Sequence, residues 1–212
     1  LGYGNVVAAG SILRHDYPAD NQLIYESAPG GGVKNYVAAA YPGIVHVVEN
    51  NILYLANLAA LEAWYKHVRK PFLEAQAFGL FLYAGVMEQL AAAKKERLKR
   101  LKAMAEKAVN LPTKENNGPS GRKRRELYEQ TGYIEDIFIR KTDECLAGTD
   151  QSRESFLDDF GKAAQAKRMG YIETIQGLPA EVSSKGVAWL NAIVTGLGKE
   201  VARVLPAMDL FK

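Results

Sequence analysis

The chain has 212 residues, 48% apolar and 24% charged, with a formal net charge of +3, proportions that exclude a disordered or fibrous chain and suit one large or two small folded domains. A single cysteine, Cys145, excludes an internal disulfide, so residue usage does not ask for an oxidising compartment. No run of about 18 apolar residues is free of charges and strong breakers, so no transmembrane helix or membrane association is expected.

The N-terminus lacks the basic and apolar regions of a signal peptide and does not begin with Met, so the expectation is a piece of a longer cytoplasmic protein. The charge is uneven. Residues 94–125 hold 12 Lys and Arg against 3 Glu. Such a segment can attract phosphates or nucleic acid, or can be a solvated helix face with a solvated linker.

Residues 1–18, "LGYGNVVAAGSILRHDYP", repeat every six positions: Leu1, Val7 and Leu13 open each unit, Gly4 and Gly10 hold the fourth place, and Asn5 and Ser11 the fifth. Six is neither the helical period nor that of a strand. One reading is a buried strand or β-hairpin followed by a turn. The other is a coil of three short strands with glycine corners, its first residues stacked inward. On these residues the stretch resembles the hexapeptide repeat of left-handed parallel β-helix proteins, and in particular the closing coil of hexapeptide acyltransferases and sugar-nucleotide pyrophosphorylases. A single coil exposes both stacking faces, which argues for further coils upstream or a partner covering the edge.

Residues 19–43 are rich in Gly, Pro and Asn and read as an extended connection with short strands. Gly30 to Gly32 lack the strand, Lys-Ser/Thr and helix of a phosphate loop and read as a turn. From Ile44 the period is helical. Pro71 is expected to break or kink the first helix near Arg69 or Lys70 and to open a second that runs to Asn110. The first half of that second helix is apolar on nearly every side through Phe72, Phe78, Leu80, Phe81, Leu82 and Tyr83, and should be buried by other helices or a partner subunit. Its second half is amphipathic, with Lys94, Lys95, Lys99 and Lys102 turned outward.

Residues 111–121 read as a flexible loop. Further helices are expected near 120–146, 150–169 and 180–204, packing as a bundle. The expected fold is therefore mainly α: the last coil of a left-handed parallel β-helix at 1–18, a connection at 19–43, and a helical domain at 44–212.

His15, His46 and His67 lie in separate segments without ligands at metal spacing, so no metal site is expected, and no cofactor is called for. The β-helix resemblance implies a histidine general base. His15 is the one near the coil, although it stands after the last repeat, where that family has a surface corner. In "WYKHVRKPF", Lys66, His67, Arg69 and Lys70 form a basic cluster suited either to a phosphate or carboxylate or to the dipole of a helix C-terminus. "GRKRRELYEQ" lacks base-reading aromatics and a known nucleic-acid motif, so it reads as a solubilising helix start and nucleic acid is not the expected partner. Cys145 reads as a small core residue.

The resemblance implies the C-terminal part of a protein similar to the UDP-N-acetylglucosamine pyrophosphorylase and glucosamine-1-phosphate acetyltransferase group. This part would be structural or oligomerising. A homo-oligomer is expected, a trimer being the form a β-helix would give, with a nucleotide sugar or acyl donor engaged only through the parent protein. The alternative is an anion- or nucleic-acid-binding helical module.

Overall fold

The computed structural model describes residues 1–26, 30–37, 40–41, 43–111, 118–167 and 170–212, with backbone only at 145–147 and 165–167. The expected loop at 111–121 and the side chain of Cys145 therefore fall largely or wholly outside the described residues. The chain divides into two units, Leu1–Ala40 and Tyr41–Lys212.

The first unit is a small mixed sheet. Strand β1 (Val6–Val7) pairs in parallel with β2 (Gln22–Tyr25), Val6 opposite Leu23, and β2 pairs antiparallel with β3 (Gly32–Asn35), Ile24 opposite Val33. Ile24, fully buried, is its core residue. The expected closing coil of a left-handed β-helix is not formed by the described residues. Gly4 and Gly10 take positive φ (71° and 81°) on either side of β1 and turn the chain before a longer strand can form. The inward-stacking positions do not stack, since Leu1 is 70% and Val7 37% exposed. Asn5 instead ties the stretch together sideways: its amide donates to the Ala19 carbonyl (2.9 Å) and its Oδ1 accepts from the Gln22 N–H (2.8 Å). The six-residue period thus reflects two glycine turns six residues apart, not the corners of a prism.

The second unit is helical, as the 3.6-residue spacing requires. Helix α1 (Ile44–Trp64) buries Ile44, Val48, Ile52, Leu55, Ala59 and Ala63 on one stripe. It packs on α8 (Ala180–Val204), whose Trp189, Ile193, Leu197 and Val201 face the same core. The helical run Ile44–Glu74 is long and apolar enough to cross a membrane by length and composition, and in this fold that apolar stripe lines the core.

Pro71 does not break the chain. A π-helical turn (Tyr65–Arg69) carries α1 directly into α2 (Lys70–Glu74), the Lys70 N–H reaching back to the Tyr65 carbonyl. In an α-helix the Pro71 ring would collide with the carbonyl four residues earlier, and the wider turn is the local geometry that accompanies it here. The break comes instead at residues 75–78, where Phe78 adopts a left-handed conformation (φ 61°) before α3 (Gly79–Val109).

Helix α3 packs along α4 (Pro119–Ile139), and α6 (Asp150–Lys167) packs on α8. The short α5 (Thr142–Leu146), a 3-10 turn (Ala147–Thr149) and α7 (Tyr171–Gln176) complete the unit. The C-terminal tail closes over it. Met208 and Leu210 are buried, Glu126 accepts the Ala207 N–H (2.9 Å), and Glu49 accepts the Phe211 N–H (2.8 Å).

Two sequence expectations change here. The apolar start of α3 is not covered by other helices, for Phe78 is 78% and Phe81 79% exposed. Lys94 does not face water but lies in the core at 7% exposure.

Gly79 admits no side chain: an added Cβ would sit 1.7 Å from the Leu73 carbonyl oxygen. Gly132, in mid-α4, has open space at that position. Gly79→Ala should lower unfolding free energy by about 1–3 kcal/mol, as overpacking does, whereas Gly132→Ala should raise it by about 0.5–1 kcal/mol. Urea denaturation of both variants checks the pair.

Candidate functional site

The helical unit carries its most distinctive chemistry where the π turn meets α3, α5 and α6. Glu62, on the last turn of α1, bridges two lysines: its Oε1 is 2.7 Å from Lys66 Nζ and its Oε2 is 2.5 Å from Lys94 Nζ. Lys94 comes from α3 and also reaches the Phe138 carbonyl of α4 at 3.5 Å. A buried ammonium requires a counterion and acceptors for its protons, and both are supplied.

Burial alone would raise the Glu62 pKa. The hydrogen bond from Lys66, then that from Lys94, and their charges outweigh it and hold the carboxyl below its ordinary range. Burial likewise opposes the charge on Lys66, and Glu62 holds its pKa above the usual value.

Beside this triad lies a cavity of about 410 Å³ lined by Glu62, Lys66, His67, Asp143, Asp150 and Arg153, with Thr142 and Thr149 also on its wall. His67 presents its ring edge-on to Trp189, centroids 6.1 Å apart. Trp189 in turn stacks on Phe156 (5.8 Å), and Phe156 on Trp64 (5.9 Å), so an aromatic column backs the polar wall. Burial lowers the His67 pKa first. Arg153 and Lys66 lower it further, against smaller opposing contributions from Asp150 and Asp143. The imidazole is therefore neutral near pH 7, in a field whose larger contributions are positive, and one ring nitrogen is free to accept a proton while the other donates.

The four basic residues of the expected anion cluster are divided by the π turn. Lys66 and His67 line the cavity. Arg69 lies over the Tyr171 ring at 3.8 Å, while the Tyr171 hydroxyl accepts the Trp64 indole N–H at 2.8 Å. Lys70 pairs with Glu74 at 3.7 Å and lies 5.7 Å from the centre of the Tyr83 ring. Arg153, which the sequence reading missed, completes the cavity from α6 and is held by Asp150 at 2.8 Å. Its salient signal was the D-x-x-R spacing that lets Asp150 orient it across one helical turn.

His15 sits elsewhere, exposed in the first unit. It lines a concavity of about 540 Å³ together with Arg14, Tyr17 and Glu26. The Tyr17 hydroxyl donates to Glu26, which also accepts the Arg14 N–H at 2.9 Å. The Tyr17 bond, followed by smaller contributions that include the charges of His15 and Arg14, holds the Glu26 carboxyl below its usual range. This group keeps a charged carboxylate beside His15 but leaves the ring in open water.

The basic segment 94–125 also divides. Lys94 is buried, Arg97 stacks on Tyr54 at 4.2 Å, and Arg100 pairs with Glu96 at 2.8 Å. Among the described residues no three His, Cys, Asp or Glu side chains gather as a metal site.

Removing Glu62 leaves Lys94 buried without its counterion, so Glu62→Ala should cost about 3–5 kcal/mol. The double variant Glu62→Leu/Lys94→Met should recover most of that loss in urea denaturation. Because the folded-state pKa of Glu62 is depressed, its contribution is complete above the ordinary carboxylate pKa and is lost as pH falls through the lower folded value. The double variant should therefore lose less stability than the parent below about pH 4. Comparison with protein-family models, with curated proteins and with solved structures returns no match to this chain.

Proposed function

We propose that the helical unit is a binding module for a small anionic ligand, one bearing a phosphate, sulfate or carboxylate, held in the cavity beside the π turn. The observation that carries this reading is the convergence of nitrogen donors from two separate elements, Lys66 and His67 of the π turn and Arg153 of α6, on one cavity of about 410 Å³. The volume is in the range of small-molecule sites. Arg153 offers a planar fork to an oxyanion and Lys66 a point charge, while Thr142 and Thr149 bring hydroxyl side chains to the wall. The aromatic column behind His67 limits water on one side and strengthens each of these interactions.

The sequence resemblance of residues 1–18 lends this reading no support, because those residues do not form the coil on which it rests. A nucleotide sugar or sugar phosphate nonetheless belongs to this ligand chemistry. The oligomerising role expected from the sequence draws on a different surface.

Sulfate remains a dianion across the titration range of histidine and is the simplest probe, with inorganic phosphate as a second. A bound dianion favours the imidazolium, so the His67 resonances in proton NMR should move on addition of sulfate and the His67 pKa should rise. Affinity should then increase as pH falls through that raised value. Arg153→Gln should weaken binding about tenfold or more, since a charge-assisted hydrogen bond contributes about 1.5–3 kcal/mol. His67 resonances that stay fixed in millimolar sulfate and phosphate would overturn the reading.

A further inference from the structure

From the uncovered start of α3 we infer that two copies of this chain associate through it, as an antiparallel two-fold pair of α3 helices in which Phe81 of each copy sits over Gly85 of the other. The inference is independent of the anion site.

The run Ala75–Met87 contains no charged residue. Within it Phe78 is 78% exposed, Leu80 58%, Phe81 79% and Leu82 57%. Phe81, Leu82 and Gly85 share one face of α3, and Phe78, the residue that caps the helix, precedes them at the same i, i+3, i+4, i+7 spacing. That face points away from the stripe of Leu90, Leu98, Leu101 and Ala105 that α3 buries in its own unit. At Gly85 nothing lies within 4 Å of where a Cβ would stand. Two large rings beside a glycine gap make a surface with a projection and a hollow on the same face, which is the requirement for an isologous contact.

Area selects the occupant. Covering the Phe78, Phe81 and Leu82 side chains removes roughly 500 Å² per copy. Two copies together then reach about 1,000 Å², the floor for a specific interface and the size of a weak, reversible dimer. Charge argues against a lipid surface: Glu74 and Glu88 bracket the run, and carboxylates at that depth are repelled by anionic headgroups. At the rim of a protein pair both remain in water.

Sedimentation velocity of the full 212-residue chain over a range of concentrations tests this. The parent chain should pass from monomer to dimer, and Phe81→Glu should weaken that dimer at least about tenfold, with an unchanged helical circular dichroism spectrum. Val187→Glu, at a 55% exposed apolar position on α8, should leave the dimer as it is. A chain that stays monomeric at all concentrations, or a Phe81→Glu variant that dimerises as tightly as the parent, would overturn the inference. So would a trimer sensitive to Phe81→Glu, which no two-fold pair produces. Co-sedimentation of the parent chain with phosphatidylcholine vesicles, lost in Phe81→Glu, would also overturn it by assigning the face to lipid.

Discussion

A lysine withdrawn from water has to bring a counterion with it, and the packing around the Lys94 ammonium reflects that constraint. Glu62 can answer it only if the end of α1 lies against the middle of α3, and the Phe138 carbonyl can contribute only if α4 passes close to both. One ion pair therefore relates three helices. It also fixes Lys66, because the second oxygen of the same carboxylate is already committed to it. Buried pairs of this kind specify an arrangement more readily than they stabilise it, since burial costs each partner its hydration. Much of the stability has to come from the apolar stripe that α1 and α8 share.

The π turn converts this fixed frame into a site. An α-helical continuation would step around the helix by a constant angle and carry residues 66 to 70 past the cavity at even spacing. The wider turn changes that rotation between Lys66 and Lys70, so that Lys66 and His67 line the cavity while Arg69 leaves it for Tyr171. Irregular turns of this kind are common at functional sites because they re-aim side chains without breaking the helix. Pro71 stands two residues after the turn, which connects the shape of the cavity to a single residue outside it.

The helices were legible in the sequence because their stripes are local: Ile44 to Ala63 and Trp189 to Val201 declare a period that no distant residue alters. The fate of Lys94 was not legible, because its partner is 32 residues away and every lysine on an amphipathic helix has the same local spacing. The break before α3 escaped notice for a related reason. Proline marks a break openly, whereas the stop at Phe78 depends on Gly79 being approached by the Leu73 carbonyl, a contact that exists only once α2 has formed. The opening repeat misled in the opposite direction. Its period is real, but glycines at positive φ generate the same spacing in a loop as in a coil, and only the exposure of Leu1 and Val7 separates the two.

Half of the cavity was visible in the same way. Lys66 and His67 stand in a basic run that any reading would mark, while Arg153 lies some 80 residues further on, in a helix dense with both charges. What makes Arg153 relevant is its arrival at the wall that the π turn has opened, and its pairing with Asp150, which holds the guanidinium along α6. The same principle accounts for part of the basic segment 94–125. Three of its cations are engaged by Glu62, Tyr54 and Glu96, so its formal surplus overstates the positive charge available to an outside partner. The cavity is subject to the same accounting: Lys66 is paired with Glu62 and Arg153 with Asp150, so what it offers an oxyanion is the geometry of converging donors more than a surplus of charge.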